Sequence, residues 1–180
     1  MGGPKALVEL DGEPLVRRAL RVLADGGCAP LLVVLGAAAD DVRRELPPGV
    51  LSIVAEGWES GMGASLRAGL AAVPAGPEAA LVHLVDLPGV TAAAVRRLVT
   101  EPVDAHVLRR ASYDGRPAHP VLLGRARWAA VRTSATGAAG ARGYLGGNPD
   151  VEQVECGDVA APEDVDTPEQ LARFRRPQTP

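Results

Sequence analysis

Apolar runs alternate with amphipathic segments along the chain, and this alternation predicts strands that alternate with helices. Residues 30–36 hold an unbroken run of Leu and Val, which is typical of a strand buried on both faces. Residues 14–25 place their apolar side chains on one helical face: Leu15, Ala19, Val22 and Leu23. Strands alternating with helices favour an α/β fold with a mostly parallel sheet covered on both sides.

The same reasoning predicts the remaining elements. Further strands are expected over 49–55, 79–88 and 151–158, and a hairpin over 104–124 turns at Asp114-Gly115. Helices are expected over 38–46, 61–73, 91–101, 125–133, 136–147 and 167–176, two of them with N-caps, Thr91 and Thr167. No repeat or long linker divides the chain, so we expect one domain over 1–176 and a frayed tail over 177–180.

Composition and charge exclude several classes of function. The 180 residues carry a net charge of -3 at pH 7, which argues against general nucleic-acid binding because that function favours a basic surface. No apolar run approaches the ~20 residues of a membrane-spanning helix, and the N-terminus lacks the pattern of a secretory signal. Cys28 and Cys156 are isolated, which favours free thiols. We therefore expect a cytoplasmic protein without nucleic-acid or membrane partners.

Two carboxylates are candidates for binding a divalent cation. Asp86 stands at the end of a predicted strand, and Asp166 directly precedes the last predicted helix. The carboxyl ends of parallel strands are where ligands bind in such sheets, and Mg²⁺ binds through one or two carboxylates together with substrate phosphates. Ordinary turn and N-cap roles would also explain both residues, and Asp164 is an alternative to Asp166.

Two further features could contact a ligand. In "ESGMGASLRAGL", Gly61 and Gly63 permit close approach of the backbone, and Ser65 can hydrogen-bond a base or a phosphate. A flexible loop followed by an N-cap would explain the same residues. Lys5 follows a Gly-Gly-Pro loop and can act as a point charge on a phosphate, although a solvated surface lysine is the commoner case.

Histidines offer few candidates for acid–base chemistry. His119 begins a predicted strand and is placed either to enter the strand-end crevice or to lie in a turn. His83 stands inside a predicted buried strand, and we expect it to be a hydrogen-bonded histidine of the core. The sequence contains no Gly-x-Ser-x-Gly segment and no Walker A loop, so a serine triad and a P-loop have little support.

Five segments, in this order, resemble the MobA-like NTP transferases, the nucleotidyltransferases that build molybdenum cofactors. "GGPKALVELDGEPLVRRAL" resembles their opening loop, lysine and first helix. "ESGMGASLRAGL" resembles their base-binding loop, most of all in the cytidylyltransferase branch, and "VDLPGV" resembles their metal-binding turn. "YDGRPAHPVLLGRARW" resembles their acceptor-side hairpin, with Ala118 where Gly is usual, and "EDVDTPEQLARF" resembles their closing segment.

The resemblance implies a fold and a reaction. The fold would be a three-layer α/β/α sandwich with a Rossmann-like, mostly parallel sheet of the nucleotide-diphospho-sugar transferase type. The family transfers a nucleotidyl group from an NTP to a phosphorylated acceptor and releases pyrophosphate. The cytidylyl-like loop favours CMP from CTP over GMP from GTP, with a molybdopterin-type acceptor. A molybdoenzyme or its maturation factor is a candidate partner.

The resemblance also implies roles for individual residues. Lys5 and Asp86 would be catalytic, with Lys5 offsetting the charge of the triphosphate. Asp86 and Asp166 would hold Mg²⁺, and His119 would lie on the acceptor side. The nucleotide would be bound by Lys5, Ser60, Gly61, Met62 and Ser65. Two alternatives stay open: the same chemistry on a sugar phosphate or another phosphorylated metabolite, and a truncated relative without catalytic activity.

The start of the chain carries an expectation of its own. Members of the family begin with a mid-sheet strand and a Gly-rich turn of the type LAAGxGxR, and Met1 stands where a Met follows the Arg of that turn. We expect the native protein to begin about 15 to 25 residues upstream, the length of one strand and its turn. We also expect the 180-residue form to bind NTP weakly. Calorimetry with CTP checks this, and micromolar affinity would contradict it.

Overall fold

The computed structural model describes residues 3–175, and the tail predicted over 177–180 lies outside these described residues. The strands are β1 (Glu9–Leu10), β2 (Glu13–Pro14), β3 (Leu32–Leu35), β4 (Leu51–Val54), β5 (Ala79–Val82), β6 (Leu108–Tyr113), β7 (Arg116–Gly124) and β8 (Glu152–Glu155). The helices are α1 (Leu15–Asp25), α2 (Ala39–Arg44), α3 (Met62–Ala72), α4 (Ala92–Leu98), α5 (Trp128–Ser134), α6 (Arg142–Leu145) and α7 (Pro168–Ala172). Short 3₁₀ turns include Lys5–Leu7 and Trp58–Ser60.

The strands form three hydrogen-bonded groups within residues 3–175. β1 and β2 make an antiparallel ribbon, β3 pairs with β4 in parallel, and a four-stranded sheet has the order β5-β7-β6-β8. In that sheet β7 is antiparallel to β5 and to β6, whereas β6 and β8 are parallel. The predicted α/β fold is confirmed. The sheet is mixed, whereas the sequence favoured a mostly parallel one, because the hairpin returns β7 antiparallel between β5 and β6.

Helices cover both faces of the strands. On β3, Val33 packs against the cluster that contains Val16 and Leu20 of α1. The next residue, Val34, lies against α3, because a Cβ added at Gly69 would stand 2.9 Å from its Cγ2 atom. Successive residues of a strand point to opposite faces, so α1 and α3 lie on opposite sides of β3. This is the three-layer α/β/α arrangement that the family resemblance implies.

The four-stranded sheet is covered in the same way. Leu108 of β6 belongs to a buried cluster with residues of α3, α5 and α6. Ala111 and Tyr113 of the same strand pack instead with Ala94 and Leu98 of α4. Full burial of a Leu or Val side chain stabilises the fold by about 1.5–3 kcal/mol, so both helical layers contribute to holding the sheet.

Three segments differ in detail from the sequence prediction. The helix predicted over 136–147 is reduced to the 3₁₀ turn Gly137–Ala139 and the four residues of α6. The strand predicted over 79–88 ends at Val82, which pairs with Val121 of β7. The neighbour of Val121 on β7 is Pro120, which has no N–H to donate, so the ladder cannot continue past this point. Residues 9–14, for which the sequence pattern predicts no strand, form the β1–β2 ribbon, in which Asp11 and Gly12 have φ values of 53° and 78°, as a type I′ hairpin turn requires.

Both predicted N-caps are confirmed. The Ala94 N–H donates to Oγ1 of Thr91, at 3.3 Å, at the start of α4. At α7 the Gln170 N–H donates to Oγ1 of Thr167, and the Gln170 side chain accepts from the Thr167 N–H at 2.9 Å. This reciprocal pair is a capping box, and it defines where the closing helix begins.

The structure also bears on two predictions from composition: the state of the cysteines and the presence of a membrane-spanning helix. Cys28 and Cys156 are both free thiols, and burial raises the pKa of each. Across residues 3–175, every helix is too short or too polar to cross a membrane.

Glu155 at the end of β8 ties the β6–β7 turn to the sheet. Its carboxylate accepts hydrogen bonds from the backbone N–H groups of Gly157, Asp114 and Gly115, at 2.9, 3.0 and 3.2 Å, and from the Ser112 hydroxyl at 2.8 Å. These donors, first that of Gly157, lower the pKa of Glu155 to about 2. The folded protein therefore favours the ionised carboxylate.

We predict that Glu155→Gln lowers the free energy of unfolding at pH 7 and removes part of the acid sensitivity of the fold. The folded pKa of about 2 lies below the ordinary 4.5, so the contribution is complete above that ordinary value and is lost as the pH falls towards 2. Urea unfolding at pH 7 and pH 3 measures both effects. Glu163→Gln, which removes an exposed charge, is the control, and equal losses in the two variants would contradict the prediction.

Candidate functional site

Lys5, Asp86 and Asp166 form one ion-paired cluster. The Nζ atom of Lys5 lies 2.8 Å from Oδ2 of Asp86, and it also contacts Oδ1 of Asp166. The three side chains keep 35%, 21% and 55% of their surface exposed, so a ligand can reach the cluster from solvent. Two carboxylates that lie far apart along the chain thus meet at one cation. We call these three residues the ion-pair cluster.

Backbone contacts and a buried side chain hold the two aspartates together. The Val165 N–H donates to the Asp86 carbonyl at 2.9 Å, which joins the loop after β5 to the segment before α7. The Val165 side chain has no exposed surface and packs with Leu10 and Leu15. Because Asp166 follows Val165 directly, this anchor places its carboxylate beside Asp86.

The charges of the cluster favour a protonated lysine. Burial opposes the charge on Lys5, but hydrogen bonds to Asp166 and Asp86 outweigh this effect and raise the pKa of Lys5 above its ordinary value. Lys5 is therefore a cation at neutral pH, and its ammonium lies between two anions. A phosphate that displaced either carboxylate would meet a positive group already in place.

The donor atoms of the cluster fit a hard divalent cation. One group of cationic size, the Lys5 ammonium, contacts an oxygen of each aspartate. Mg²⁺ and Mn²⁺ bind such oxygens and complete their coordination with water and phosphate. Within residues 3–175 there is no group of three or more His, Cys, Asp or Glu side chains suited to a metal, so a substrate would have to supply further ligands. Lys5 contacts Asp166 rather than Asp164.

The glycines of the predicted nucleotide loop lie against another part of the chain. Gly61 has a φ of 114°, and a Cβ there would stand 2.6 Å from the carbonyl carbon of Gly137. A Cβ at Gly63 would stand 2.9 Å from the backbone of Thr136. This close packing accounts for both glycines without a ligand, so their role in nucleotide binding stays a prediction.

The other residues of the loop are divided between surface and interior. The Ser60 hydroxyl donates to the Gly57 carbonyl at 2.7 Å, and Met62 is 38% exposed at the start of α3. Met62 and Ser65 line a cavity of about 780 Å³ between β3 and β5, here called the central cavity. Among the described residues, no hydrogen bond or ion pair joins this loop to the ion-pair cluster.

His119 also lines the central cavity. Its Nδ1 atom lies 3.4 Å from the Val82 carbonyl, and its own carbonyl accepts a hydrogen bond from the Tyr113 hydroxyl at 2.9 Å. Burial, and to a lesser degree the charges of Arg110 and Arg142, lower the pKa of His119, against the hydrogen bond to Val82. The imidazole is therefore neutral near pH 7.

Arg110 and Arg142 are residues that the sequence analysis did not single out. Both line the central cavity beside His119. Arg110 is partly buried on β6, where its Nε donates to the Ala118 carbonyl at 3.1 Å, and burial and then the charge of Arg142 lower its pKa. Two neighbouring guanidinium groups favour an anion between them. No motif distinguishes these two from the other arginines of the chain, so the sequence carried no signal for them.

The expectation that His83 is hydrogen-bonded in the core is wrong for its Nδ1 atom. That atom is buried and has no hydrogen-bond partner among the described residues. His83 lies just past the end of β5, where the ladder has stopped, and it lines the central cavity. Burial, followed by the nearby His119, lowers the pKa of His83 to about 4.

We predict that His83 makes the fold less stable in mild acid. The unfolded chain binds a proton near the ordinary pKa of 6.5 and the folded chain only near 4, so stability falls as the pH drops between these values, by about 2 kcal/mol from pH 7.5 to pH 5. Urea unfolding should show that His83→Phe removes this part of the loss of stability, whereas the part that comes from His119 remains. His106→Gln, on the surface, is the control, and an unchanged loss in His83→Phe would contradict the prediction.

The fold is shared with a class of α/β proteins that includes a nucleotidyltransferase. A nucleotidyl transferase from Methanothermobacter thermautotroptrophicus shares the fold, with a TM-score of 0.80 over 95% of this chain and 83% of that chain at 19% identity. Rv0371c from Mycobacterium tuberculosis is 27% identical and superposes with a TM-score of 0.78 over 97% of this chain and 89% of its own. A second structure of Rv0371c is a manganese complex, at 25% identity and a TM-score of 0.73 over 95% and 90% of the two chains.

The family follows from the sequence match. The family model described as the MobA-like NTP transferase domain matches residues 1–154. The chain therefore belongs to the MobA-like NTP transferase family, and the family resemblance is confirmed; four of the five segments lie within the matched residues, and the fifth, over 163–174, lies beyond them. A curated relative, the nicotine blue oxidoreductase of Paenarthrobacter nicotinovorans, is 38% identical over 181 residues, which cover 96% of this chain and 88% of that protein.

Proposed function

We propose that this nucleotidyltransferase transfers CMP from CTP, in preference to GMP from GTP, to a molybdopterin-type acceptor and releases pyrophosphate. Membership of the MobA-like NTP transferase family supports an NTP as substrate. The observation that carries the proposal is the meeting of Asp86 and Asp166 at the Lys5 ammonium. Such a cluster combines two oxygen ligands for a metal with one cation for a phosphate.

We assign a divalent cation, Mg²⁺ in the cell, to Asp86 and Asp166. The manganese complex of Rv0371c supports a divalent metal in this family, and Mn²⁺ and Mg²⁺ share a preference for carboxylate, water and phosphate oxygens. When bound, the ion would neutralise triphosphate charge at the reacting phosphorus. The two aspartates hold that charge beside Lys5, and the backbone contact between Val165 and Asp86 keeps them at a fixed separation.

In the proposed reaction, a phosphate oxygen of the acceptor attacks the α-phosphorus of CTP. The bond from this phosphorus to the oxygen bridging to the β-phosphate breaks, and pyrophosphate leaves with the electron pair. Lys5 donates hydrogen bonds to the triphosphate oxygens, whose negative charge favours the protonated ammonium. Transfer of this kind depends on positioning and charge neutralisation rather than on a covalent intermediate.

We assign the nucleotide to Lys5 and to the loop that leads into α3, with four further contact residues: Ser60, Gly61, Met62 and Ser65. The acceptor phosphate is assigned to the side of His119, where Arg110 and Arg142 supply positive charge. A neutral imidazole there can accept a proton from an acceptor hydroxyl or phosphate. A molybdoenzyme or its maturation factor is the proposed recipient of the product. The two free thiols support the cytoplasm as the compartment.

A second candidate is an oxidoreductase activity on nicotine blue. The 38% identity with the nicotine blue oxidoreductase favours it, because this identity exceeds the 27% shared with Rv0371c. Absorbance of nicotine blue, followed with the protein and an added electron donor, would measure that activity directly. If the absorbance still changes in variants that lack the carboxylates of the ion-pair cluster, the oxidoreductase activity does not depend on that cluster and is separate from nucleotidyl transfer.

We predict that Asp86→Asn, assayed at high CTP because the 180-residue form is expected to bind NTP weakly, lowers pyrophosphate release from CTP and molybdopterin by about a hundredfold or more, because the metal loses a ligand. Asp166→Asn should act in the same direction. Asp164→Asn, on the same loop but outside the ion-pair cluster, is the matched control and should retain the parental rate. Parallel reactions with GTP and with sugar phosphates test the base and the acceptor.

Metal binding gives a second measurement that does not need turnover. Electron paramagnetic resonance of Mn²⁺ should show that Asp86→Asn weakens binding by about tenfold or more, whereas Asp164→Asn leaves the affinity as it was. Equal Mn²⁺ affinity in the parent and Asp86→Asn would overturn the metal assignment. A chain that binds Mn²⁺ through these residues but never releases pyrophosphate would support the non-catalytic alternative instead.

A further inference from the structure

The Asp86 carboxylate lies on a turn that follows β5 outside any strand or helix. Residues 86–89, here called the Asp86 turn, therefore have no strand ladder to hold them. The Val90 N–H donates to the Leu87 carbonyl at 3.2 Å and closes the turn. Its other backbone carbonyls need partners from elsewhere in the chain, because buried polar groups are nearly always hydrogen-bonded. Those partners decide where the turn lies.

One of these partners is the guanidinium group of Arg18 in α1. Its Nε and Nη2 atoms both donate to the Pro88 carbonyl, at 3.2 and 3.0 Å. Both bonds are partly buried, and a charged donor makes a stronger hydrogen bond than a neutral one. Arg18 also borders a small void together with Val85 and Leu87, on either side of Asp86. Arg18 therefore joins the Asp86 turn to α1.

The turn is held on another side by an irregular segment. The Val165 N–H donates to the Asp86 carbonyl at 2.9 Å, and the Ala161 N–H donates to the Gly89 carbonyl at 3.1 Å. Residues 160–166 contain no helix or strand. Arg18, by contrast, extends from a helix of 11 residues. The contact with Arg18 thus refers the turn to a regular element of the fold.

The same helix holds the lysine of the ion-pair cluster. Ala6, which follows Lys5 directly, packs against the buried cluster that contains Val16 of α1. The helix therefore fixes Lys5 through apolar packing and the Asp86 turn through Arg18. Both sides of the 2.8 Å contact between Lys5 and Asp86 depend on one element.

Arg18 differs from two other arginines of α1. Arg17 pairs with Glu45 and Arg21 pairs with Glu13, and both arginine side chains are 49% exposed. Exposed ion pairs of this kind contribute little to stability. Arg18 instead donates to a backbone carbonyl two residues beyond a candidate metal ligand. Arg17 carries the same charge on the same helix and is therefore a matched control for Arg18.

We propose that Arg18 is a positioning residue of the metal site: by holding the Pro88 carbonyl, it keeps the Asp86 carboxylate beside Asp166. This role rests on the proposed function, in which Asp86 and Asp166 bind the metal. Groups that orient a metal ligand commonly change metal affinity by about ten- to a hundredfold. Arg18 acts through the Asp86 turn and not on the metal itself.

The charge of Arg18 and its position predict opposite effects on metal binding. Arg18→Met removes a positive charge, and by Coulomb's law this change alone favours binding of a cation. The same variant frees the Pro88 carbonyl, and the Asp86 carboxylate is then no longer held at the metal. Weaker binding of a divalent cation by Arg18→Met would therefore report position and not charge.

Electron paramagnetic resonance of Mn²⁺ in the 180-residue protein is the test. Arg18→Met should weaken Mn²⁺ binding by about tenfold, Arg18→Lys should restore part of the affinity because its ammonium still reaches a carbonyl, and Arg17→Met should bind as the parent does. Circular dichroism checks that each variant folds, and Arg18→Gln, with the same expected loss, replaces Arg18→Met if that variant does not fold. Parental or tighter binding by the folded variant would overturn the proposal.

A double variant tests whether Arg18 acts through Asp86. In the Asp86→Asn background, Arg18→Met should cause no further loss of Mn²⁺ affinity, because the ligand that it positions is already absent. A second loss of the full size would overturn the proposal. If Asp86→Asn alone binds Mn²⁺ as the parent does, the metal assignment fails and the role of Arg18 fails with it. If Asp86→Asn weakens binding and Arg18→Met does not, only the role of Arg18 fails.

Discussion

The alternation of strand side chains between two faces is the constraint on which the structure depends. Val33 and Val34 point to different helical layers, and the same division along β5 and β6 separates the cluster around α4 from the cluster around α3 and α5. Strands buried in this way favour apolar side chains on both faces. The strands β3 and β5 are apolar throughout, whereas β6 also carries Arg109, Arg110 and Ser112. The helices contribute one apolar face each. The three layers follow from this pattern.

The ion-pair cluster depends on contacts between distant parts of the chain. Lys5 lies in a turn before β1, Asp86 follows β5 and Asp166 precedes α7. The buried side chain of Val165 packs under the β1–β2 ribbon, and its N–H binds the Asp86 carbonyl. Packing of apolar residues therefore sets the distance between two charged ones. A site for a metal and a phosphate is placed here by the core beneath it.

The central cavity connects the fold with the candidate site. Residues predicted to bind the nucleotide, Met62 and Ser65, line it together with His119 of the predicted acceptor side. The strands on its two sides share the helices α1 and α3 but no hydrogen bonds within the described residues.

Local patterns in the sequence determined the elements: the buried strand of residues 32–35, the hairpin at Asp114-Gly115, and the caps Thr91 and Thr167. These depend on neighbouring residues, whose periodicity and turn chemistry can be read directly. Only the tertiary structure decided that Lys5 contacts Asp166 rather than Asp164, that Pro120 ends β5 at Val82, and that Arg110 accompanies His119. Each of these depends on distances between residues far apart in the chain, and local sequence carries no measure of such distances.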